Sequence, residues 1–222
     1  MVIATLFDFD GVLVDSEPVH LAAFNDVLAP LGMGIDTRTY SERYLSFDDA
    51  GVFRDVLAAA GGTPDEQQVR SFVEAKSPRF LARFANGFRA FPGAAELVAR
   101  RAARGPVGIV SGALESEISF ALAKMGVASA VAFIVSAERT AASKPDPAPY
   151  WLALEELRRM GHLSGAVVVE DSLGGVTSAK RAMLRCVAVA HSYSAAELTN
   201  AGADAVVDDL ASLTDALLEQ GA

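Results

Sequence analysis

Asp8 and Asp10 stand two residues apart just beyond the apolar run Val2 to Phe7, with Gly11 directly after them. Such a run reads as a buried strand, which delivers Asp8 to its C-terminal end and puts Asp10 and Gly11 in the following turn. Open α/β sheets hold their ligands outside the carboxyl ends of strands, so a first strand presents chemistry here. Two carboxylates this close repel unless a proton or cation offsets them, and a hard cation such as Mg²⁺ suits oxygen donors. The pair predicts a metal. Taken alone, Asp-x-Asp-Gly is also an ordinary turn. A calcium-binding helix-loop-helix is excluded, because Leu13 stands where that loop needs Gly and Val19 where it needs Glu.

Three later stations carry polar residues beyond apolar strands. Gly108-Ile-Val-Ser111-Gly112 ends a strand in a hydroxyl, with Gly112 freeing backbone to donate to an anion. Ser111 is equally readable as a cap for the helix near Leu114. Lys144, in Ser143-Lys144-Pro145, is suited to neutralise a phosphate or hold Asp8 ionised, or else is a solvated surface lysine. Val167-Val-Val-Glu170-Asp171-Ser172 places two acids directly after a fully apolar run. That favours a cation, with Asp171 as direct ligand and Glu170 acting behind it or through water. Capping of the helix near Gly174 by Asp171 would not explain Glu170.

The elements that must position these residues alternate. Helix Ala94 to Arg104 precedes strand Val107 to Val110, and helix Leu114 to Met125 precedes strand Val131 to Val135. Then come helix Pro147 to Met160, strand Ala166 to Val169, helix Gly174 to Met183, strand Cys186 to Val189, a short helix from Ala195, strand Ala205 to Val207 and a last helix from Leu210. Helix and strand in turn imply a parallel sheet covered on both faces. Between the first two strands the chain reads as helical: Pro18 to Leu31 with Ser16 as N-cap, Asp48 to Ala60, and Pro64 to Phe84. The expected fold is α/β, a Rossmann-like core of residues 1–15 and 87–222 with a helical cap of residues 16–86 inserted after the first strand.

Asp8-Phe-Asp10-Gly11-Val-Leu-Val-Asp15-Ser16, Ser111-Gly112, Lys144-Pro145 and Glu170-Asp171-Ser172, in this order, resemble the haloacid dehalogenase superfamily over essentially the whole chain. The similarity is to its β-phosphoglucomutase and small-phosphatase branch, whose re-entry to the core Phe91-Pro92-Gly93 also resembles. The resemblance implies that Asp8 attacks phosphorus to form an aspartyl phosphate. Asp10 would protonate the leaving group and then activate water or an incoming hydroxyl. Ser111 and Lys144 would bind phosphoryl oxygens. Mg²⁺ would be held by Asp8, the main-chain carbonyl of Asp10 and Asp171. The chemistry is sensible on its own terms, because a carboxylate nucleophile divides one hard displacement into two and a nearby acid serves both.

In the mutase the resemblance implies an Arg gripping a distal phosphate before the second cap helix. This chain has Tyr44-Leu-Ser46-Phe-Asp48-Asp49-Ala50 there. A second phosphate would meet repulsion unless Arg43, Arg54 or Lys76 offsets it. Ser16, His20, Asp48, Asp49 and Lys76 are the expected substrate contacts of the cap, with His20 matching a mutase histidine or else marking an exposed helical turn. The expectation is a Mg²⁺-dependent phosphatase for a small sugar or polyol phosphate, with a sugar-phosphate mutase as the alternative. A non-catalytic sensor of a phosphorylated ligand is the reading from another class.

Composition narrows the classes further. The chain has 222 residues, 51% of them hydrophobic and 21% charged, and a formal net charge of −9. That balance opposes nucleic-acid binding, whose phosphates need a basic face, while leaving small phosphorylated metabolites open. No apolar run approaches the roughly 18–20 residues of a bilayer span. The start Met1-Val-Ile-Ala lacks a signal-peptide pattern, and one cysteine, Cys186, forms no internal disulfide. A cytoplasmic monomer or weak homo-oligomer is expected. No Gly-x-Gly-x-x-Gly follows the first strand and no Gly-x-Ser-x-Gly surrounds Ser111, which excludes a Rossmann dehydrogenase and a serine hydrolase.

Overall fold

The computed structural model describes residues 3–45 and 47–220. Val2 of the first expected strand and Ser46 lie outside the described residues. The chain divides into two compact units, Met1–Asp15 with Arg89–Ala222, and Ser16–Phe88.

The first unit is a six-stranded parallel sheet. Its strands are β1 (Ala4–Phe7), β4 (Val107–Val110), β5 (Phe133–Val135), β6 (Ala166–Glu170), β7 (Arg185–Val189) and β8 (Ala205–Val207), in the spatial order β5-β4-β1-β6-β7-β8. A separate two-stranded ribbon pairs β2 (Val14–Asp15) with β3 (Arg89–Ala90) in antiparallel fashion. β1 is central and buried throughout, with Phe7 in register with Ile109 on one side and Val169 on the other. From β1 the chain builds outward through β4 and β5, then returns to the other flank for β6, β7 and β8. The direction of winding therefore reverses at β1, and the crevice at such a switch point is where doubly wound sheets bind ligands.

Helices α5 (Ala94–Ala102), α6 (Glu115–Lys124), α7 (Ala148–Arg159), α8 (Leu173–Arg181), α9 (Ala195–Asn200) and α10 (Asp215–Leu218) belong to this unit. Tyr150, Ala153 and Leu157 from α7 and Val176 and Ala179 from α8 join Leu6, Val168 and Cys186 in one apolar cluster. Cys186 is a buried free thiol within it. Strand β5 begins at Phe133 rather than Val131, because Ala128–Ala130 forms a 3₁₀ turn first. Likewise the last helix is a 3₁₀ turn, Leu210–Ser212, followed by the short α10, whose N-cap Thr214 accepts from Leu217 N.

The second unit is helical, comprising α1 (Glu17–Leu28), α2 (Thr37–Thr39), a π turn at Tyr40–Tyr44, α3 (Asp49–Ala59) and α4 (Glu66–Asn86). Phe24, Leu28, Tyr40, Phe53, Leu57 and Val69 form its core. Helix α1 ends at Leu28 and tightens into a 3₁₀ turn over Ala29–Leu31, where Pro30 cannot donate the next helical hydrogen bond. Ser16 does not cap α1 through its side chain. Its backbone is helical rather than extended, and its buried Oγ has no partner among the described residues. Phe88 stacks on Phe84 with ring centroids 4.9 Å apart, which extends this unit past the expected junction at Asn86-Gly87. Among the described residues, no helix is long and apolar enough to cross a membrane.

A buried arginine fastens the C-terminus to the central strand. Arg101 Nε donates to Thr5 Oγ1 at 2.9 Å, while its Nη1 reaches Asp215 at 2.9 Å and Glu219 at 2.7 Å. Arg104, then Arg101, lower the Glu219 carboxyl from 4.5 to about 2. An acid depressed on folding contributes stability that is complete above its unfolded value and is lost as pH falls through the folded one. Glu219→Gln should therefore melt below the wild type at neutral pH, and calorimetric Tm values of the two proteins should converge as pH falls from 4.5 toward 2.

Candidate active site

The sheet's carboxyl ends bring together four stations far apart in sequence. Asp8 continues β1, its N–H donating to Val169 O at 2.9 Å, so the backbone pairing with β6 persists up to the carboxylate itself. Beyond it the chain turns sharply at Gly11, whose φ of 76° lies in the left-handed region open to glycine. A second constraint acts there as well, since a Cβ at Gly11 would fall 1.9 Å from Asp171 Oδ2. The turn and the acid after β6 share one space.

Lys144 is the hub. Its Nζ donates to Asp8 Oδ1 at 2.9 Å, to Glu170 Oε1 at 2.6 Å and to Val110 O at 2.8 Å. An ammonium carries three protons, and each has an acceptor here. This is no solvated surface lysine, since only 14% of its side chain is exposed. Burial opposes the Lys144 charge, but Asp8 and Glu170 outweigh it and raise the pKa. Asp8 moves the other way from an ordinary carboxylate: burial first, then Glu170 and Asp10, push it up to about 7 against the pull of Lys144.

Glu170 and Asp171 divide their work. Glu170 is fully buried. Its Oε1 accepts from Lys144 and from Tyr150 OH at 2.7 Å. Its Oε2 accepts from Asp171 N at 3.2 Å, Ser172 N at 3.4 Å and Ser172 Oγ at 3.1 Å. Helix α8 begins against this carboxyl, and a Cβ at Gly175 would lie 1.9 Å from Glu170 Cδ. Its N-cap is Ser172, which accepts from Gly175 N at 3.0 Å, so Asp171 is not the cap. Asp171 instead accepts from Ser192 Oγ. Burial, then Asp8 and Glu170, hold Asp171 well above the usual carboxylate range.

Asp8, Glu170 and Asp171 each offer an oxygen within 4.8 Å of the others. Three acids beside one lysine cannot all ionise without an offsetting cation, and an all-oxygen donor set is what a hard divalent cation takes. The residues fit such an ion. Asp10 follows in the turn, paired through its backbone with Val14. Ser111 Oγ accepts from Ala113 N at 3.1 Å, a local turn two residues long, and α6 starts later with Leu114 as its N-cap. Ser111 and Gly112 line a cavity of about 300 Å³ together with Thr140, Ser143, Lys144 and Pro149.

Within the helical unit, the expected contacts fall into two groups. Asp48 is the N-cap of α3, its Oδ1 accepting from Gly51 N at 2.7 Å. Lys76 and Asp49 pair at 2.5 Å, and His20 Nδ1 lies 2.8 Å from Lys76 Nζ. The Lys76 side chain is 2% exposed and sits 4.2 Å from the Phe24 ring centroid. His20 is stacked on Phe80 rather than being an exposed turn, and burial with Lys76 lowers its pKa well below the ordinary value. Its Nδ1 accordingly accepts from the ammonium. Arg43 and Arg54 are engaged with Asp55 and Glu66.

Sequence reasoning missed Tyr150, His191 and Ser192. Tyr150 sits within an amphipathic helix whose pattern reports burial, not the Glu170 it contacts. Burial and Glu170 push its phenol well above the ordinary value, so it serves as a donor. Tyr150→Phe leaves a buried acceptor short of one donor, which should cost about 1.5–3 kcal/mol in urea unfolding, the range for hydrogen bonds to charged groups.

The chain resembles known proteins along nearly its whole length. The profile of the haloacid dehalogenase-like hydrolase family matches residues 5–189. Protein CbbY of Cereibacter sphaeroides is 34% identical over 220 residues, covering 96% of this chain and 94% of that one. Phosphoglycolate phosphatase of Rhodospirillum rubrum is also 34% identical, over 224 residues, covering 96% and 89%. A crystal structure of a CbbY mutant from Rhodobacter sphaeroides, in complex with xylulose-(1,5)bisphosphate, superposes with a TM-score of 0.79 at 31% identity, covering 98% of this chain and 99% of that one. With its four polar stations on one sheet edge and these likenesses along nearly its whole length, the chain belongs to the haloacid dehalogenase-like hydrolase family.

Proposed function

We propose that this protein is a phosphatase that hydrolyses a small phosphorylated carbohydrate or hydroxy acid through an aspartyl-phosphate intermediate. The observation that carries the reading is the Lys144 hub, which fixes one oxygen of a buried aspartate at the sheet's switch point and sets a cation beside the cavity lined by Ser111 and Gly112. Asp8 attacks the phosphorus with a carboxylate oxygen, and the ester oxygen leaves with its electron pair. Asp10 gives that oxygen a proton, then takes one from the water that attacks the aspartyl phosphate and releases inorganic phosphate. Ser111 and the backbone after Ser111 bind the phosphoryl oxygens, and the Lys144 charge beside Asp8 offsets their negative charge, where positioning and charge supply most of the rate.

Asp8, the carbonyl of Asp10 and Asp171 would hold the cation, Mg²⁺ in this reading. Glu170, with both oxygens already accepting hydrogen bonds, acts through Lys144 and the Asp171 backbone instead of coordinating directly. The ion, when bound, screens the negative charge of the nucleophile and of the transferring phosphoryl group. The substrate class rests on the relatives, phosphoglycolate phosphatase and CbbY, and on the bisphosphate seen in the solved CbbY complex. In the helical unit Asp49 does not stand as an isolated repulsive acid, because Lys76 neutralises it.

Phosphorus NMR of the protein with Mg²⁺ tests the reading directly. The substrates pooled are phosphoglycolate, xylulose 1,5-bisphosphate, hexose and polyol monophosphates, and β-glucose 1-phosphate with its bisphosphate primer. Inorganic phosphate should grow at the expense of one ester. Migration of phosphate from C1 to C6 without release would make the protein a mutase, and ligand binding without turnover would make it a sensor. Asp8→Asn should lower phosphate release by several orders of magnitude, and hydrolysis surviving that change overturns the nucleophile assignment. EDTA should abolish release and added Mg²⁺ restore it.

A further inference from the structure

The loop after β7 reaches the active site through two residues that the mechanism above does not use. His191 Nδ1 lies 2.7 Å from Gly11 O, and since a carbonyl only accepts, the Nδ1–H donates. The imidazole is stacked on Phe91, centroids 3.9 Å apart and planes 14° from parallel, so the ring has a defined orientation. The next residue, Ser192, donates its hydroxyl to Asp171 Oδ2. That same oxygen lies so close to Gly11 that a Cβ there would overlap it. Asp171 is thereby enclosed between the nucleophile's turn and the β7 loop, and His191 joins those two walls.

From this arrangement we infer that Ser192 is a specificity-determining residue for the cation. By engaging one oxygen of Asp171 it biases the carboxylate to coordinate through the other alone, which suits Mg²⁺ and disfavours Ca²⁺. The inference rests on the reading of Asp171 as a cation ligand. Its physical basis is the difference between the ions. Mg²⁺ demands near-octahedral geometry and is held by one or two carboxylates and water, whereas Ca²⁺ takes six to eight oxygens and readily accepts a bidentate carboxylate. The terminal torsion of an aspartate is broad. Among the described residues Ser192 is the one side chain that donates to Asp171, so nothing else there pins this torsion by hydrogen bonding. Partners behind a metal ligand typically govern affinity in this way.

The test is cation affinity of the full-length protein without substrate. Bound Mn²⁺ is followed by EPR while Mg²⁺ or Ca²⁺ displaces it, for the wild type, Ser192→Ala, Ser192→Thr and Asp171→Asn. In Ser192→Ala the Mg²⁺ Kd should rise about 10-fold, the lower end for loss of a partner behind a metal ligand, while that for Ca²⁺ stays or falls. Ser192→Thr should restore the wild-type ratio. Turnover should follow, with a raised Mg²⁺ requirement. An unchanged Mg²⁺ Kd, or parallel weakening of both ions, overturns the inference. Cation binding unaffected by Asp171→Asn would instead sink the ligand assignment on which it rests. Should Ser192→Ala fail to fold, Ser192→Cys, with a weaker donor of similar shape, must give the same order of affinities at reduced size.

Discussion

The three hydrogen bonds of one ammonium organise this candidate site. Lys144 ties together β4 through Val110 O, β1 through Asp8 and β6 through Glu170. Burying a charged lysine is costly, and two carboxylates with a carbonyl are what make it tolerable. The converse holds for the acids, which would otherwise repel one another at the end of a fully apolar sheet. Neither sign of charge is stable there without the other. Even so, one cation faces three buried acids, an oxygen donor set of the kind that suits a hard divalent ion.

Sheet topology makes this concentration of charge possible. A parallel strand carries its polar residues to the carboxyl end only if the run before it is apolar on both faces, as Val167 to Val169 and Val107 to Val110 are. With β1 at the point where winding reverses, its two neighbours bring their ends against it from either side. The glycines then set how close the approach can be. Gly11 and Gly175 each leave the space that a carboxylate fills, so Asp171 and Glu170 lie against backbone instead of side chains. Substituting either glycine would collide with an acid, not merely strain a turn.

How much of this was legible in sequence follows from the range of each signal. The alternation of helix and strand, the terminal acids and Lys144 could be read because each is a local pattern of residue types, and the family resemblance joined them into one set. The adjacent pair was read with Asp171 as direct cation ligand and Glu170 acting behind it or through water. What that reading lacks is the partners Glu170 holds, Lys144, Tyr150 and the start of α8, because they depend on contacts 20 and 26 residues away. Ser16 illustrates the opposite error. It has the right type for a cap, but whether a serine caps a helix through its side chain depends on its backbone angles. The π turn and the Val14–Asp15 ribbon escaped because so short a segment has no periodicity to show.

Residues that act by touching another chain segment leave no local trace at all. His191 and Ser192 sit after an apolar strand like many loop residues, and their meaning comes from Gly11, 180 residues earlier, and Asp171, 21 residues earlier. The Lys76, Asp49 and His20 cluster is similar, with partners 27 and 56 residues apart. In that cluster a lysine almost without solvent exposure is matched by one carboxylate and a neutral imidazole, and two aromatic rings cover it. Such an arrangement fixes the lysine's position at considerable desolvation cost. A helical unit of this size has no need of a buried cation for stability, since Phe24, Phe53 and their neighbours already supply an apolar core. What the cluster fixes is the place of one charge among apolar helices, the same physical signature that Lys144 leaves in the sheet.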